Sequence, residues 1–186
     1  RADRLAAVSA NVRANNTTAD ASSIANSETT IAARGNHVVA AWNDGMNFSA
    51  SPGGTGYAYS SDGGLTFLDG GVPPVTVAGA RHEGDPVLTV DNPGNFYLAD
   101  LYAPDPSTST IAVTHGAFTG ATFAWDVPVI VAATTTDFLD KEWMAADPEN
   151  GIVYVTWTRF LAGGGGQIEL SRSLDHGLTW EAPQIL

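Results

Sequence analysis

The sequence predicts an all-β protein, on three observations. Apolar residues come in short runs rich in β-branched and aromatic types, at 37–42, 86–90, 96–99, 111–113, 127–131 and 152–157. Turn clusters rich in Gly, Pro and Asn separate these runs, and helical periodicity is nearly absent. Short strands at regular spacing with such turns are typical of a sandwich, a barrel or a propeller.

Composition excludes several classes of function. The chain has 20 acidic and 8 basic residues in 186, a formal net charge of -12, which repels nucleic-acid phosphates and anionic membrane surfaces. No apolar run approaches the ~20 residues of a membrane span. The absence of cysteine excludes disulfides, thiolate zinc sites and cysteine catalysis. The start is not signal-like, and we expect any secretion signal to have been removed.

A turn pattern recurs along the chain. Residues 60–67 and 173–180 share Ser, Asp, Gly, Thr and an aromatic residue in the same order, and their Asp residues lie 113 positions apart. An incomplete copy of the pattern lies halfway between them, with Phe118 at the position of the Asp. The three copies are therefore separated by 56 and 57 residues. The shared positions are Ser60, Asp62, Gly64, Thr66 and Phe67; Gly120, Thr122 and Phe123; and Ser173, Asp175, Gly177, Thr179 and Trp180.

A second series has the same period. Glu28, Asp85 and Lys141 each precede an apolar strand, at steps of 57 and 56. A repeat of ~50 residues that holds four strands has the size of one propeller blade. The sequence therefore predicts about three blades, at 28–79, 84–136 and 140–186, after an N-terminal segment 1–27.

The turn pattern resembles the Asp-box, or bacterial neuraminidase repeat, of sialidases and related β-propellers, over nearly the whole chain. The resemblance implies four-stranded antiparallel blades, about half of a six-bladed sialidase-like ring. It also implies a structural role for the boxes, on the face away from the ligand. The stretch Leu5–Val12 is expected to complete the last blade and close the ring.

The blade pattern assigns strands A to D. In the first blade they are expected near 29–33, at 37–42, at 57–60 and from 66. In the third blade they are expected near 143–146, at 152–158, at 167–172 and from 179. The innermost strand of a propeller lines the central channel and starts at the ligand face, so residues just before each A strand should share one mouth.

The mouth predicted in this way is rich in carboxylates. Close carboxylates have pKa values pushed apart, as acid/base chemistry or a hard cation such as Ca²⁺ requires. We take Asp85 and Glu142 as candidate catalytic residues, although such groups also pair with one another, cap strand starts or face water. The candidate ligand-binding residues of this mouth are Glu28, Arg81, His82, Glu83, Asp140 and Lys141.

Loops between strands B and C open on the same face and add Asn43, Asp44 and Arg159 to the candidates. Asn47, Tyr102, Asp105 and Phe160 also lie in or beside these loops. Asn and Asp beside aromatic residues suit hydrogen bonds to sugar hydroxyls and stacking on sugar rings, although any surface loop contains such residues.

Sialidase activity in this family requires specific residues. It clamps the substrate carboxylate with three arginines and carries a Tyr–Glu nucleophile pair on later blades. Here the first arginine position reads Asn26-Ser-Glu28, and an acid there would repel a sialate. Sialidase activity is therefore not expected of the isolated chain.

Three functions stay open. The first is a secreted propeller, extracellular or periplasmic by resemblance, that binds carbohydrate without turnover, with or without Ca²⁺. The second is a glycoside hydrolase whose site is completed by a second chain or by missing blades. The third is an assembly module, in which an exposed blade pairs with another copy to give a homodimer.

Overall fold

A computed structural model of the chain describes residues 10–18, 24–46, 48 and 51–186. Every regular element in this part is a β-strand, which confirms the all-β prediction. The strands are β1 Asn26–Arg34, β2 His37–Asp44, β3 Thr55–Ser60, β4 Leu68–Gly71, β5 Arg81–Val90, β6 Asn95–Ala103, β7 Ser109–Thr119, β8 Thr122–Trp125, β9 Val129–Thr134, β10 Phe138–Ala146, β11 Val153–Phe160, β12 Gly166–Ser173 and β13 Gln184–Ile185.

The strands form three antiparallel sheets in chain order. The first sheet is β1-β2-β3-β4, and the third is β10-β11-β12-β13. In the second sheet, β5-β6-β7, the place of a fourth strand is shared by β8 and β9. The first of these pairs with the end of β7 and the second with its beginning. The fourth strand is divided where the chain passes through Asp126-Val-Pro128, since proline lacks a backbone donor.

The second sheet is apolar on both faces because its strands alternate between two neighbours. Leu88 faces the first sheet and Val87 faces the third. The core between the first and second sheets contains Ala32, Val39, Ala41, Leu88, Phe96, Leu98, Phe123 and Trp125. The core between the second and third sheets contains Val87, Tyr97, Ala99, Ile111, Val113, Val131, Ala132, Leu139, Met144, Val153, Val155 and Trp157.

The first strand of each sheet contains a bulge at the same repeat position. Glu28, Asp85 and Lys141 have φ of 52°, 55° and 58°, in the left-handed region that non-glycine residues seldom adopt. The strand register shifts at each of these residues. The sequence-based placement of these residues before the strands is therefore wrong, since β1, β5 and β10 begin earlier. The apolar alternation that marks a strand starts only after the bulge.

The two intact turn patterns have the same hydrogen bonds. Asp62 Oδ2 accepts from Thr66 Oγ1 at 2.6 Å, and Asp175 Oδ2 accepts from Thr179 Oγ1 at 2.6 Å. Hydrogen bonds from the Thr side chain and backbone lower the pKa of both Asp carboxyls to about 2. Because each Thr bonds to its Asp, the fourth strands begin later than predicted, at Leu68 and Gln184.

The incomplete copy of the pattern is a two-residue hairpin turn between β7 and β8, in which Gly120 has a φ of 64°. Phe118, in the Asp place, stacks on His37 of the first sheet at 3.9 Å between ring centroids. Most of the strand predicted at Leu5–Val12 lies outside the described residues, as does Asn47. Residues 10–12 are exposed and belong to no strand.

Candidate functional site

The three bulges bring their side chains to one cleft. A β-bulge re-aims a side chain relative to the pleat, and here Lys141 Nζ lies 2.6 Å from Asp85 Oδ2 and 3.7 Å from Asp140 Oδ1. The cleft has a volume of about 310 Å³. It is lined by Glu28, Thr29, Thr30, Asp85, Pro86, Val87, Lys141, Glu142 and Trp143.

Asn43 fixes the position of Asp85. Its side-chain amide donates to Asp85 Oδ1 at 3.2 Å, and its Oδ1 accepts the Asp85 backbone N–H at 2.6 Å. The neighbouring Gly84 has a φ of +99°, and a Cβ there would lie 2.6 Å from Asn43 Oδ1. The bulge of the second sheet is thus built around a buried amide and a glycine.

The loop after β2 is held against the start of β5. His82 N–H donates to Pro52 O at 2.9 Å, and Gly54 N–H donates to His82 O at 2.7 Å. Ser51 Oγ donates to Ala80 O at 2.7 Å. These bonds place the loop of the first sheet beside the bulge of the second.

The environment moves the pKa values of Glu28 and Asp85 in opposite directions. The hydrogen bond and the charge of Asp85, with some burial, raise the pKa of the Glu28 carboxyl. Burial alone would raise the pKa of Asp85, but hydrogen bonds from Glu28, Lys141 and Asn43 outweigh it and lower that pKa. The Asp85 carboxyl therefore ionises more readily than the Glu28 carboxyl beside it.

Glu142 is the most perturbed group in the cleft. It is 4% exposed, and neither carboxyl oxygen has a hydrogen-bond partner. Burial, reinforced by the negative charges of Asp100, Asp85 and Asp140, raises its pKa to about 9. Glu142 is therefore neutral at pH 7 and has a proton to donate.

Trp143 borders the cleft and is 71% exposed. Tryptophan is seldom so exposed unless its ring contacts a ligand or a partner, because burial of its large apolar surface is favourable. Sequence reasoning counted Trp143 only as the start of a strand. An aromatic residue directly after the charged run 140–142 was the signal that could have identified it.

His82 does not line the cleft. It is fully buried, with Nδ1 2.6 Å from Asp100 Oδ2 and Nε2 3.1 Å from Pro74 O. Burial disfavours the imidazolium, but the charge and hydrogen bond of Asp100 raise its pKa overall. Asp100 also accepts from Thr55 Oγ1 at 2.9 Å, so the pair ties the first sheet to the second.

The predicted arginines are engaged in ion pairs. Arg81 Nη2 lies 2.6 Å from Glu83 Oε1 along the same strand. Arg159 lies 3.3 Å from Asp137 and 2.9 Å from Glu169. Neither arginine lines the cleft.

Asp44 also lies outside the lining of the cleft. Its Oδ1 accepts from Met46 N–H at 3.0 Å. Of the residues predicted at the mouth, the structure thus brings Glu28, Asp85, Lys141 and Glu142 into one cleft, with Asn43 and Asp140 in contact with them.

Within the described residues, no group of three or more His, Asp or Glu side chains is placed to hold a metal ion. No helix in that part of the chain is long and apolar enough to cross a membrane.

Solved structures with this arrangement of strands include propeller glycosidases. A Trypanosoma rangeli sialidase aligns with a TM-score of 0.63 at 20% identity, over 85% of this chain. A Penicillium chrysogenum α-L-arabinanase, solved with arabinobiose, aligns with a TM-score of 0.64 at 16% identity, over 86% of this chain. The chain has a sialidase-like propeller fold.

This propeller segment corresponds to only part of each neighbour. It spans 30% of the Trypanosoma rangeli sialidase and 49% of the arabinanase. A Hadza microbial sialidase aligns with a TM-score of 0.53 over 33% of its own length, at 17% identity. No family model and no curated protein sequence matches the chain.

Proposed function

We propose that the chain is a carbohydrate-binding propeller segment that holds a neutral sugar in the cleft of the three bulges. The observation that carries this proposal is the exposed ring of Trp143 beside Asp85, Lys141 and Glu142 in one cleft. An aromatic face next to a few fixed polar groups is the usual composition of a small-ligand site. We also propose that the protein acts outside the cytoplasm, in an extracellular or periplasmic compartment.

The charges of the cleft favour a neutral sugar over an acidic one. Glu28 and Asp85 supply negative charge, and Lys141, the one cation among the described residues that line the cleft, already pairs with Asp85. The carboxylate of a sialic acid would meet these acids and no unpaired arginine, so it would be repelled. A neutral oligosaccharide, such as the arabinobiose in the Penicillium chrysogenum arabinanase structure, offers hydroxyls that can donate hydrogen bonds to these carboxylates.

Calorimetric titration of the protein with neutral oligosaccharides and with a sialylated trisaccharide tests the proposal. We expect binding of a neutral sugar, and we expect Trp143→Ala to weaken it about tenfold or more, because stacking and apolar contact are lost. Leu178→Ala, at an equally exposed position in the turn 173–180, is the matched control and should bind normally. Preference for the sialylated sugar, or unchanged affinity in Trp143→Ala, would refute the proposal. The titration repeated with EDTA and with added Ca²⁺ tests whether the ion contributes.

A second candidate function is hydrolysis of a glycosidic bond, favoured by the unlike protonation states of Glu142 and Asp85. In this reaction Glu142 gives its proton to the glycosidic oxygen as the C–O bond breaks. Asp85 takes a proton from the water that adds to the sugar. The alignment with only part of each neighbour supports a site completed by further blades or by a second chain.

A panel of fluorogenic glycosides tests hydrolysis. Turnover should fall about 100-fold or more in Glu142→Gln and in Asp85→Asn, because general acid and base catalysis each contribute factors of that order. Glu149→Gln, an exposed carboxylate outside the cleft lining, should keep full activity. No turnover by the unaltered protein at high concentration would exclude hydrolysis by this chain, alone or with a second copy, and leave the binding proposal standing.

A further inference from the structure

Phe48 is an aromatic side chain that is open to solvent beside the bulge of the second sheet. It lies in the loop between β2 and β3 and is 45% exposed. Phenyl rings are usually buried, because their apolar surface gains free energy on leaving water. Loops held on a rigid scaffold often carry the residues that contact a ligand, so the open ring of Phe48 calls for a ligand-based explanation.

Two glycines provide the space in which the Phe48 ring lies. A Cβ on Gly54 would lie 2.9 Å from Phe48 Cδ2, and a Cβ on Gly84 would lie 3.2 Å from Phe48 Cζ. Carbon atoms in contact are ordinarily about 3.5 Å or more apart, so a side chain at either position would displace the ring. The ring therefore lies in a cradle formed by the backbone of the loop and of β5.

Main-chain hydrogen bonds hold this cradle together. Asp44 N–H donates to Gly54 O at 2.7 Å, and Gly54 N–H donates to His82 O at 2.7 Å. Because these bonds join backbone atoms, they do not depend on the side chain at position 48. A ring that served only to anchor the loop would be buried in the cradle, whereas nearly half of Phe48 is open.

The cradle adjoins the carboxylate of Asp85. The Cβ position on Gly84, which precedes Asp85, lies 3.2 Å from the tip of the Phe48 ring and 2.6 Å from Asn43 Oδ1. The amide nitrogen of the same Asn43 side chain donates to Asp85 Oδ1 at 3.2 Å. One amide group therefore separates the tip of the ring from the carboxylate, and a ligand bound to Asp85 can extend over the ring.

Phe48 and Trp143 lie on opposite sides of Asp85 in the order of the sheets. Phe48 belongs to the loop of the first sheet, Asp85 to the second sheet and Trp143 to the third. Two aromatic residues with a fixed carboxylate between them suit a ligand in which several rings follow one another. A single sugar bound at Asp85 has no second ring to place on Phe48.

We propose that Phe48 is a second sugar-binding position, which makes the protein selective for a chain of at least two sugar units over a single sugar. This inference rests on the proposed binding of a neutral sugar and defines the class of ligand more closely. One sugar lies against Asp85 and Trp143, and the next sugar packs its C–H groups on the open part of the Phe48 ring.

Calorimetric titration with neutral monosaccharides and their disaccharides tests the inference. The probes are L-arabinose, D-xylose, D-galactose and D-glucose, each compared with a disaccharide of the same sugar. We expect the unaltered protein to bind one disaccharide at least about tenfold more tightly than its monosaccharide, because the second ring adds an aromatic contact. Phe48→Leu keeps an apolar side chain in the cradle but lacks the aromatic face. It should bind the two sugars about equally, with unchanged affinity for the monosaccharide.

Leu65→Ala, at an exposed position in the turn 60–67, is the control and should keep the preference for the disaccharide. Equal affinity of the unaltered protein for both sugars would overturn the inference, as would a preference that survives in Phe48→Leu. Either result leaves the proposed sugar binding intact. Absence of binding to every sugar would instead overturn the proposed function, and this inference with it.

Gly54→Ala displaces the ring without altering Phe48 itself. The added Cβ would lie 2.9 Å from Phe48 Cδ2, so the preference for the disaccharide should fall as it does in Phe48→Leu. Gly163→Ala is the matched control, because nothing lies within 4 Å of its Cβ and neither glycine has a positive φ. Thermal unfolding shows whether each variant is folded, and Gly54→Ala provides an independent test if Phe48→Leu is not. A full preference in a folded Gly54→Ala would contradict the position assigned to Phe48.

Discussion

Glu142 illustrates how far a buried position changes one side chain. With its pKa raised to about 9 by burial and nearby acids, it keeps its proton in the folded state while an unfolded glutamic acid loses it near pH 4.3. Between these values the folded protein binds more protons than the unfolded chain. Folding stability therefore falls as the pH rises through this window.

We accordingly expect Glu142→Gln to stabilise the protein in a pH-dependent way. At pH 4 the two proteins should have similar melting temperatures, since the carboxyl is then protonated in both states. Between pH 5 and pH 9 the variant should become progressively more stable, by several degrees at the alkaline end. Melting curves of both proteins across this range, with Glu149→Gln as an exposed control, measure the difference. A difference that does not change with pH would contradict the proposed protonation of Glu142.

At the same scale, only some residues of the candidate site could be predicted from the sequence. Glu28, Asp85 and Lys141 share a repeat position, and the period alone placed them together. His82 and Arg159 look equally suitable in the sequence, but their partners Asp100 and Glu169 come from other strands. Which charge is paired beneath the surface and which is free depends on contacts that the local sequence does not show.

At the scale of the element, the bulge is the feature that makes the site. It occurs in β1, β5 and β10 at residues with positive φ, which costs conformational energy at each. Without the bulge, strict alternation would place the following residues on the opposite faces. Each of the three bulges costs conformational energy, and together they bring three side chains to one cleft.

Gly84→Ala tests the bulge directly. The added Cβ would lie 2.6 Å from Asn43 Oδ1, so we expect Asn43 to lose its hydrogen bonds to Asp85. The melting temperature should fall by several degrees, and affinity for the sugar should weaken. Gly79→Ala is the matched control, because Gly79 has a similar φ of +91° but nothing within 4 Å of its Cβ. If both variants behave alike, backbone strain alone explains the effect and the role of Asn43 is disproved.

At the scale of the whole molecule, three sheets are stacked so that the middle one packs on both of its neighbours. The net charge of -12 opposes association of copies at low salt.

The sequence by itself determined the strand content, the repeat of 56 to 57 residues and the turns at Asp62 and Asp175, because these depend on local alternation and local hydrogen bonds. It also placed Asp85 and Glu142 near one mouth. The tertiary structure decided that Glu142 is buried and neutral, that His82 supports the sheets from within, and that Trp143 is open to solvent. Burial and pairing arise from residues distant in the chain, so they appear only once the sheets are packed.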